Sequence, residues 1–221
     1  KLAPITALKK LEFSQCSNMK TFTDFFGAEE VIIDNIFMGD SLDIVSLSRV
    51  KRLTLFECEY VNDYTPLQDV EEINIRYGGC GSDIIFQGSK AFANTRKIKL
   101  FFEFSMKIEM DLAFYQKVEV FEISGSANFT CNGPCPINLR KLKISRSKDV
   151  TLPSNLDRLH LLHIRECRQV NLEGVGLIPN IRLNKISKLT SLEGLGPSNQ
   201  FVQLLHLHKV TDFSPVSRSR K

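Results

Sequence analysis

Tryptophan is absent, and no stretch of apolar residues approaches the eighteen or so that a membrane-spanning helix requires, so a helical span is excluded from these 221 residues. Cysteine is sparse: six residues, at Cys16, Cys58, Cys80, Cys131, Cys135 and Cys167, with no paired CxxC sets. That spacing argues against a disulfide framework and against a zinc site. Cys131-Asn132-Gly133-Pro134-Cys135 is close enough for a local ring and is left open between a disulfide and two thiols. No phosphate-binding glycine loop, GxSxG elbow, HExxH or paired-carboxylate motif occurs, and Gly78-Gly79-Cys80-Gly81 reads as a turn leaving a strand. The four histidines fall in the last third, at His160, His163, His206 and His208. His206 and His208 share a strand edge at i, i+2, but no carboxylate or cysteine joins them at ligand spacing. The expectation is therefore no enzyme, no catalytic residue, no metal and no cofactor.

A formal net charge of +4 is too mild to announce a nucleic acid or a membrane surface by itself. The chain opens on Lys1-Leu2-Ala3-Pro4, with neither an initiator methionine nor a signal-peptide pattern, so the compartment of the parent protein stays open. One glycosylation sequon, Asn128-Phe129-Thr130, permits a secreted history.

What is present is a repeat. The pattern apolar-x-apolar-x-x-(Cys, apolar or small) returns ten times, starting at Leu11, Val31, Leu53, Ile73, Ile98, Phe121, Leu142, Leu162, Ile181 and Val202. Each frame has the alternation of a strand with one buried face. A second apolar beat follows eight positions after each start, at Met19, Val61, Met106, Phe129, Val150, Val170, Leu189 and Val210, with Gly39 and Gly81 as exceptions. Runs such as Leu189-Leu192-Leu195 and Val210-Phe213-Val216 then continue every third residue, a rhythm suited to turns and 3₁₀ helix. One such unit cannot bury its apolar face alone, so neighbouring units must stack into a continuous core. About 21 residues per coil leaves room for loops and 3₁₀ turns on the return path rather than long helices. An α/β sandwich with coincident spacing is the competing fold, and ten recurrences weigh against it.

The period and frames resemble the leucine-rich-repeat superfamily, with its consensus LxxLxLxxN/CxL. Val61-Asn62-Asp63-Tyr64-Thr65-Pro66-Leu67 and Val210-Thr211-Asp212-Phe213-Ser214-Pro215-Val216 look like the turn of the short, internalin-like class. Leu152-Pro153-Ser154-Asn155-Leu156-Asp157-Arg158-Leu159 is similar to the LPxxLxxL repeats of protist and bacterial families. The usual asparagine of the ladder is replaced here by Cys16, Cys58 and Cys167 or by apolar and small residues, and Glu103 departs from the pattern in the fifth frame. The resemblance implies an α/β, mostly-β solenoid with a curved parallel sheet on its concave face. Residues 1–216 are expected to form this single domain, and 217–221 a basic tail.

The informative side chains are those expected to face out of the concave sheet: the positions before, one after, three after and four after each frame start. The first four frames carry mixed charge there; the last four carry Lys141, Lys143, Arg146, Arg165, Arg182 and Lys185 with His163 and His206, against Glu166. Between them comes an aromatic group, Phe56, Tyr77, Phe101 and Phe102, flanked by Arg76 and Lys99. Aromatics beside arginine match the makeup of protein-binding hot spots. The expected function is a non-catalytic interaction scaffold that holds a protein partner with an acidic patch on this face. Binding of a polyanion (RNA, glycan or anionic lipid) by the basic end is the second reading; a ligand-binding segment of a larger surface receptor or adhesin is the third. Cysteine-rich caps of the secreted repeats are missing, which points to the inside of a cell without excluding the surface.

Overall fold

Strand-period alternation needs a neighbour to cover its apolar face, and the parallel stacking expected from the repeat is what the chain adopts. The computed structural model describes residues 8–16, 28–35, 44–58, 64–77 and 92–217. Its strands are β1 (Lys10–Ser14), β2 (Glu30–Asp34), β3 (Arg52–Phe56), β4 (Glu72–Tyr77), β5 (Lys97–Asp111), β6 (Val120–Asn132), β7 (Lys141–Ser145), β8 (Asp149–Thr151), β9 (Leu161–Arg165), β10 (Gln169–Val170), β11 (Asn180–Asn184) and β12 (Phe201–Leu205). The main sheet runs β1-β2-β3-β4-β5-β6-β7-β9-β11-β12, parallel throughout. The chain is thus a mostly-β parallel solenoid of about seven turns with little helix. A four-residue helix, α1 (Ser214–Ser217), is the only α-helix among the described residues, and none is long and apolar enough to cross a membrane.

Equivalent frame positions stand opposite one another: Leu55 against Ile75, Ile144 against Ile164. Frame starts from Val31 to Ile181 are at most 2 % exposed, so they form one unbroken internal ladder. A three-residue rhythm before each strand supplies the opposite wall. In the pairs Leu47/Val50, Leu67/Val70, Phe92/Thr95, Tyr115/Val118, Leu156/Leu159 and Val175/Ile178, the second N–H donates to the first carbonyl at 3.0–3.1 Å. This is the 3₁₀ bond that places every third side chain inward. Two polar residues take the second place of this rhythm, and both are satisfied. The Thr95 hydroxyl donates to Val70 O at 2.7 Å, and Asn199 amide nitrogen donates to Val175 O and Ile178 O.

The return path is more ordered than turns alone. Besides 3₁₀ segments at Val45–Arg49, Thr65–Leu67, Leu112–Phe114, Leu156–Arg158 and Val175–Leu177, the later parts of β5 and β6 form a second parallel layer with β8 and β10. Its buried row is Ile108, Phe129, Val150 and Val170. Met106, assigned to that beat from spacing, is displaced from it: register shifts on either side of Met106 bring Ile108 opposite Phe129. The coil that starts at Ile98, one of the two with the longest repeat spacing, takes up its extra residues within β5. Asn128 of the sequon lies inside β6, between Lys107 and Asp149 of the adjoining strands. Met19, Gly39, Val61, the Gly78–Gly81 turn, the first seven residues and the tail from Arg218 to Lys221 lie outside the described residues.

Cysteines at the ladder position turn inward as expected. The Cys58 thiol donates to Phe56 O at 3.3 Å and to Ile33 O on the preceding coil at 3.8 Å; those of Cys16 and Cys167 reach Ser14 O and Arg165 O. Ser147 makes the same contact to Ser145 O. Cys131 and Cys135 are both free thiols, so the local ring is not closed by a disulfide. Burial pushes the Cys167 and Cys135 thiols up to about 11, and Cys131 higher still. Since the thiolate is the reacting species, Cys131 and Cys167 are expected to react with a disulfide reagent at pH 8 at least about 100-fold more slowly in the native chain than in urea. Equal rates by mass spectrometry would show that these thiols are not interior.

Candidate interaction face

Where a strand ends decides which residues face out. In seven frames the residue four after the start takes a left-handed backbone: Gln15, Asn35, Glu57, Arg146, Glu166, Lys185 and His206, all with φ between 51° and 55°. That turn throws the side chain to the rim, so Arg146, Lys185 and His206 are exposed there. β4 and β5 instead continue in extended conformation through the same position. Extended backbone keeps the parity of the strand, so the fourth position joins the first and third inside. Tyr77 and Phe102, expected on the concave face, are therefore core residues, 8 % and 2 % exposed, and sit opposite one another in register. Phe101 takes the outward place and is half-buried.

The expected aromatic group thus shrinks to a row across three coils. Phe56 stands opposite Arg76, and Arg76 opposite Phe101. Arg76 is held by an ion pair with Glu103 at 2.6 Å, which accounts for the acid that broke the fifth frame: it lies outside, beyond the point where other strands have turned. Lys99, half-buried, lies beside Asn74 one row away.

Charge at the strand starts follows an order that frame-by-frame reading misses. The residues two before each start run Lys9, Glu29, Lys51, Glu71, Arg96, Glu119, Arg140; those one before run Lys10, Glu30, Arg52, Glu72, Lys97. Signs alternate from coil to coil, and the neighbours pair: Lys51 with Glu29 and Arg52 with Glu30, each at 3.2 Å, Arg96 with Glu119 at 2.7 Å, Lys97 with Glu72. Exposed pairs of this kind add little stability singly, but together they leave this half of the surface self-neutralised. Aligning the ten frames and reading the signs down one column was the signal available in the sequence.

From β7 onward the answering carboxylates thin out. Lys143 is half-buried and pairs with Glu122 at 2.7 Å, and Glu166 is shared by Arg165 at 3.0 Å and Lys185 at 3.5 Å. Its hydrogen bond from Arg165 holds the Glu166 carboxyl below the usual range. Arg146 donates from Nε to the Ser124 hydroxyl at 3.0 Å. Lys141 and Arg182 form no ion pair among the described residues. His163 lies between Lys143 and Arg182 in register. Its partial burial and then the charges of Arg182, Lys143 and Arg165 push its pKa down, so it is neutral near pH 7.

Two apolar residues outside the predicted set also lie on this face: Phe201 and Leu205 on β12, 45 % and 42 % exposed. Arg182 lies over the Phe201 ring, 5.6 Å from its centroid, a cation–π distance. Their positions, before and three after the last frame start, already assigned them to the outer face.

No protein-family model matches the chain. None of the curated proteins is similar to it at a significant level. The face has therefore to be interpreted from its own chemistry. Among the described residues no group of three or more His, Cys, Asp or Glu is placed to hold a metal ion, and the His206 and His208 rings stand 6.3 Å apart on the rim.

Proposed function

We propose that the chain is a leucine-rich-repeat protein of about ten short repeats and that its concave sheet is a docking face for another protein. The observation that carries this reading is the pair of aromatic–arginine clusters displayed on one continuous sheet: Phe56, Arg76 and Phe101 in the middle, Arg182, Phe201 and Leu205 near the end. Rigid aromatics bury large area at small entropic cost, and arginine beside them supplies orientation, so such clusters concentrate binding energy. The repeat assignment is supported by the in-register apolar ladder, the cysteines at the asparagine position and the recurrent left-handed corner. Parallel strands held on both sides make the face stiff before a partner arrives, which lowers the cost of binding.

Single substitutions test the assignment. With a partner captured by the intact chain, Phe101→Ala and Phe201→Ala are each expected to weaken affinity about tenfold or more, the size of a hot-spot truncation. Ile137→Ala, an exposed apolar residue away from the concave sheet, should leave affinity unchanged. Calorimetric titration in which only the Ile137 variant loses affinity would move the docking face elsewhere.

A further inference from the structure

The described residues at the strand ends carry different charge in the first three coils and in the coils of β7 to β11. Along the first three coils the described rim carries Asp34 and Glu57 and no lysine or arginine. Along the coils of β7 to β11 it carries Arg146, Lys148, Arg165, Arg168, Lys185 and Lys188, against Asp149 and Glu166. Lys148 and Arg168 belong to neighbouring coils and touch through the backbone, the Arg168 N–H donating to Lys148 O at 3.0 Å. Their side chains are exposed, and neither has an ion-pair partner among the described residues. Together with Arg146, Lys185, Glu166 and Ser187 they line an open groove of about 460 Å³.

Elsewhere a carboxylate from an adjacent coil answers several of the cations, as Glu30 does Arg52 and Glu122 does Lys143. Glu166 does so at the inner side of this groove, bridging Arg165 and Lys185. At its outer side the series breaks, and two like charges are left on coils that parallel pairing sets about 5 Å apart. We propose that this groove is an anion-binding subsite whose occupant is an acidic peptide segment of the partner, its carboxylates completing the ion-pair series that the chain leaves unfinished after Glu166. A carboxylate between Lys148 and Arg168 repeats the bridge already made by Glu166. The groove residues include no aromatic ring, so stacked bases have no platform; this favours a peptide over a nucleic acid. The assignment rests on the docking face proposed above, because the groove adjoins Arg165 and Lys185 at its edge.

The test uses a fluorescein-labelled octaglutamate peptide and the full chain, followed by anisotropy at 50 mM and 500 mM salt. Saturable binding at low salt that weakens at least tenfold in Lys148→Glu/Arg168→Glu, and is unchanged in the control Arg52→Glu, supports the assignment. Thermal unfolding of the double variant at the wild-type temperature shows that lost binding is not lost fold. Absence of saturable binding, or an equal loss in the control, overturns it by showing only diffuse attraction. A sulfated octasaccharide or a single-stranded octanucleotide that binds the same groove over tenfold more tightly also overturns the peptide assignment. Phe201→Ala separates the two proposals: it should spare octaglutamate binding while weakening the whole partner, so the failure of either stands apart from the other.

Discussion

Gly125→Ala is expected to destabilise the chain by roughly 3 kcal/mol or more, among the largest losses open to a single methyl group. Gly125 has φ +90°, and a Cβ built there falls 1.7 Å from the backbone carbonyl oxygen of Phe102. Neither side can yield cheaply. Phe102 is buried, and the residues just before it are locked in register with β6, Phe101 opposite Ser124. Gly174→Ala provides the comparison, since Gly174 also has a positive φ, +79°, but nothing lies within 4 Å of its Cβ position. It should pay the conformational cost alone, about 1 kcal/mol. Urea unfolding of both variants reads the difference directly, and equal losses would mean that β5 and β6 do not approach as closely as described.

Asn199 carries the second large effect. It is 1 % exposed and occupies a place that valine, leucine or isoleucine fills in other coils. Its amide donates to Ile178 O at 2.6 Å and Val175 O at 3.2 Å, while its oxygen accepts from the Gly196 N–H at 2.7 Å. Asn199→Ala leaves at least two buried backbone groups without these partners, at about 1–3 kcal/mol for each group left unsatisfied. The expected total is roughly 3 kcal/mol. Asn199→Asp should do worse at pH 7 than at pH 4, because an ionised carboxylate sets negative oxygen against two carbonyls, whereas the neutral acid can donate to one of them. An Asp variant with the same stability at both pH values would show that the side chain is reached by water.

The inward ladder could be read from the sequence because it has two redundant signatures, alternation within the strand and a three-residue rhythm before it. Leu53 and Leu55, or Leu162 and Ile164, have no other way to be buried together. Tyr77 and Phe102 were misplaced because the fate of the fourth position depends on the sign of one backbone angle. Gln15, Glu57, Arg146, Lys185 and His206 adopt the turned form without being glycine, so residue type gives little warning. The usable sign was polarity: the turned positions are polar, and the two that stay extended are apolar. Met106 slipped from its row for a related reason, since a register shift alters pairing without altering hydrophobicity. Arg165 and Lys185 are legible as cations in the sequence, but their sharing of Glu166 requires coordinates. Phe201 and Leu205 stand at outward positions of the last frame, so their exposure is legible from the alternation alone.

The left-handed corner has a consequence for how such a surface can change. Amide, acid, guanidinium, amine and imidazole side chains all occupy it with φ values within 4° of one another, so the backbone there does not depend on what the side chain is. A coil touches only its two neighbours, and an altered corner therefore leaves distant coils undisturbed. New binding preferences can accordingly arise along that margin through single replacements, one coil at a time, without any renegotiation of the interior.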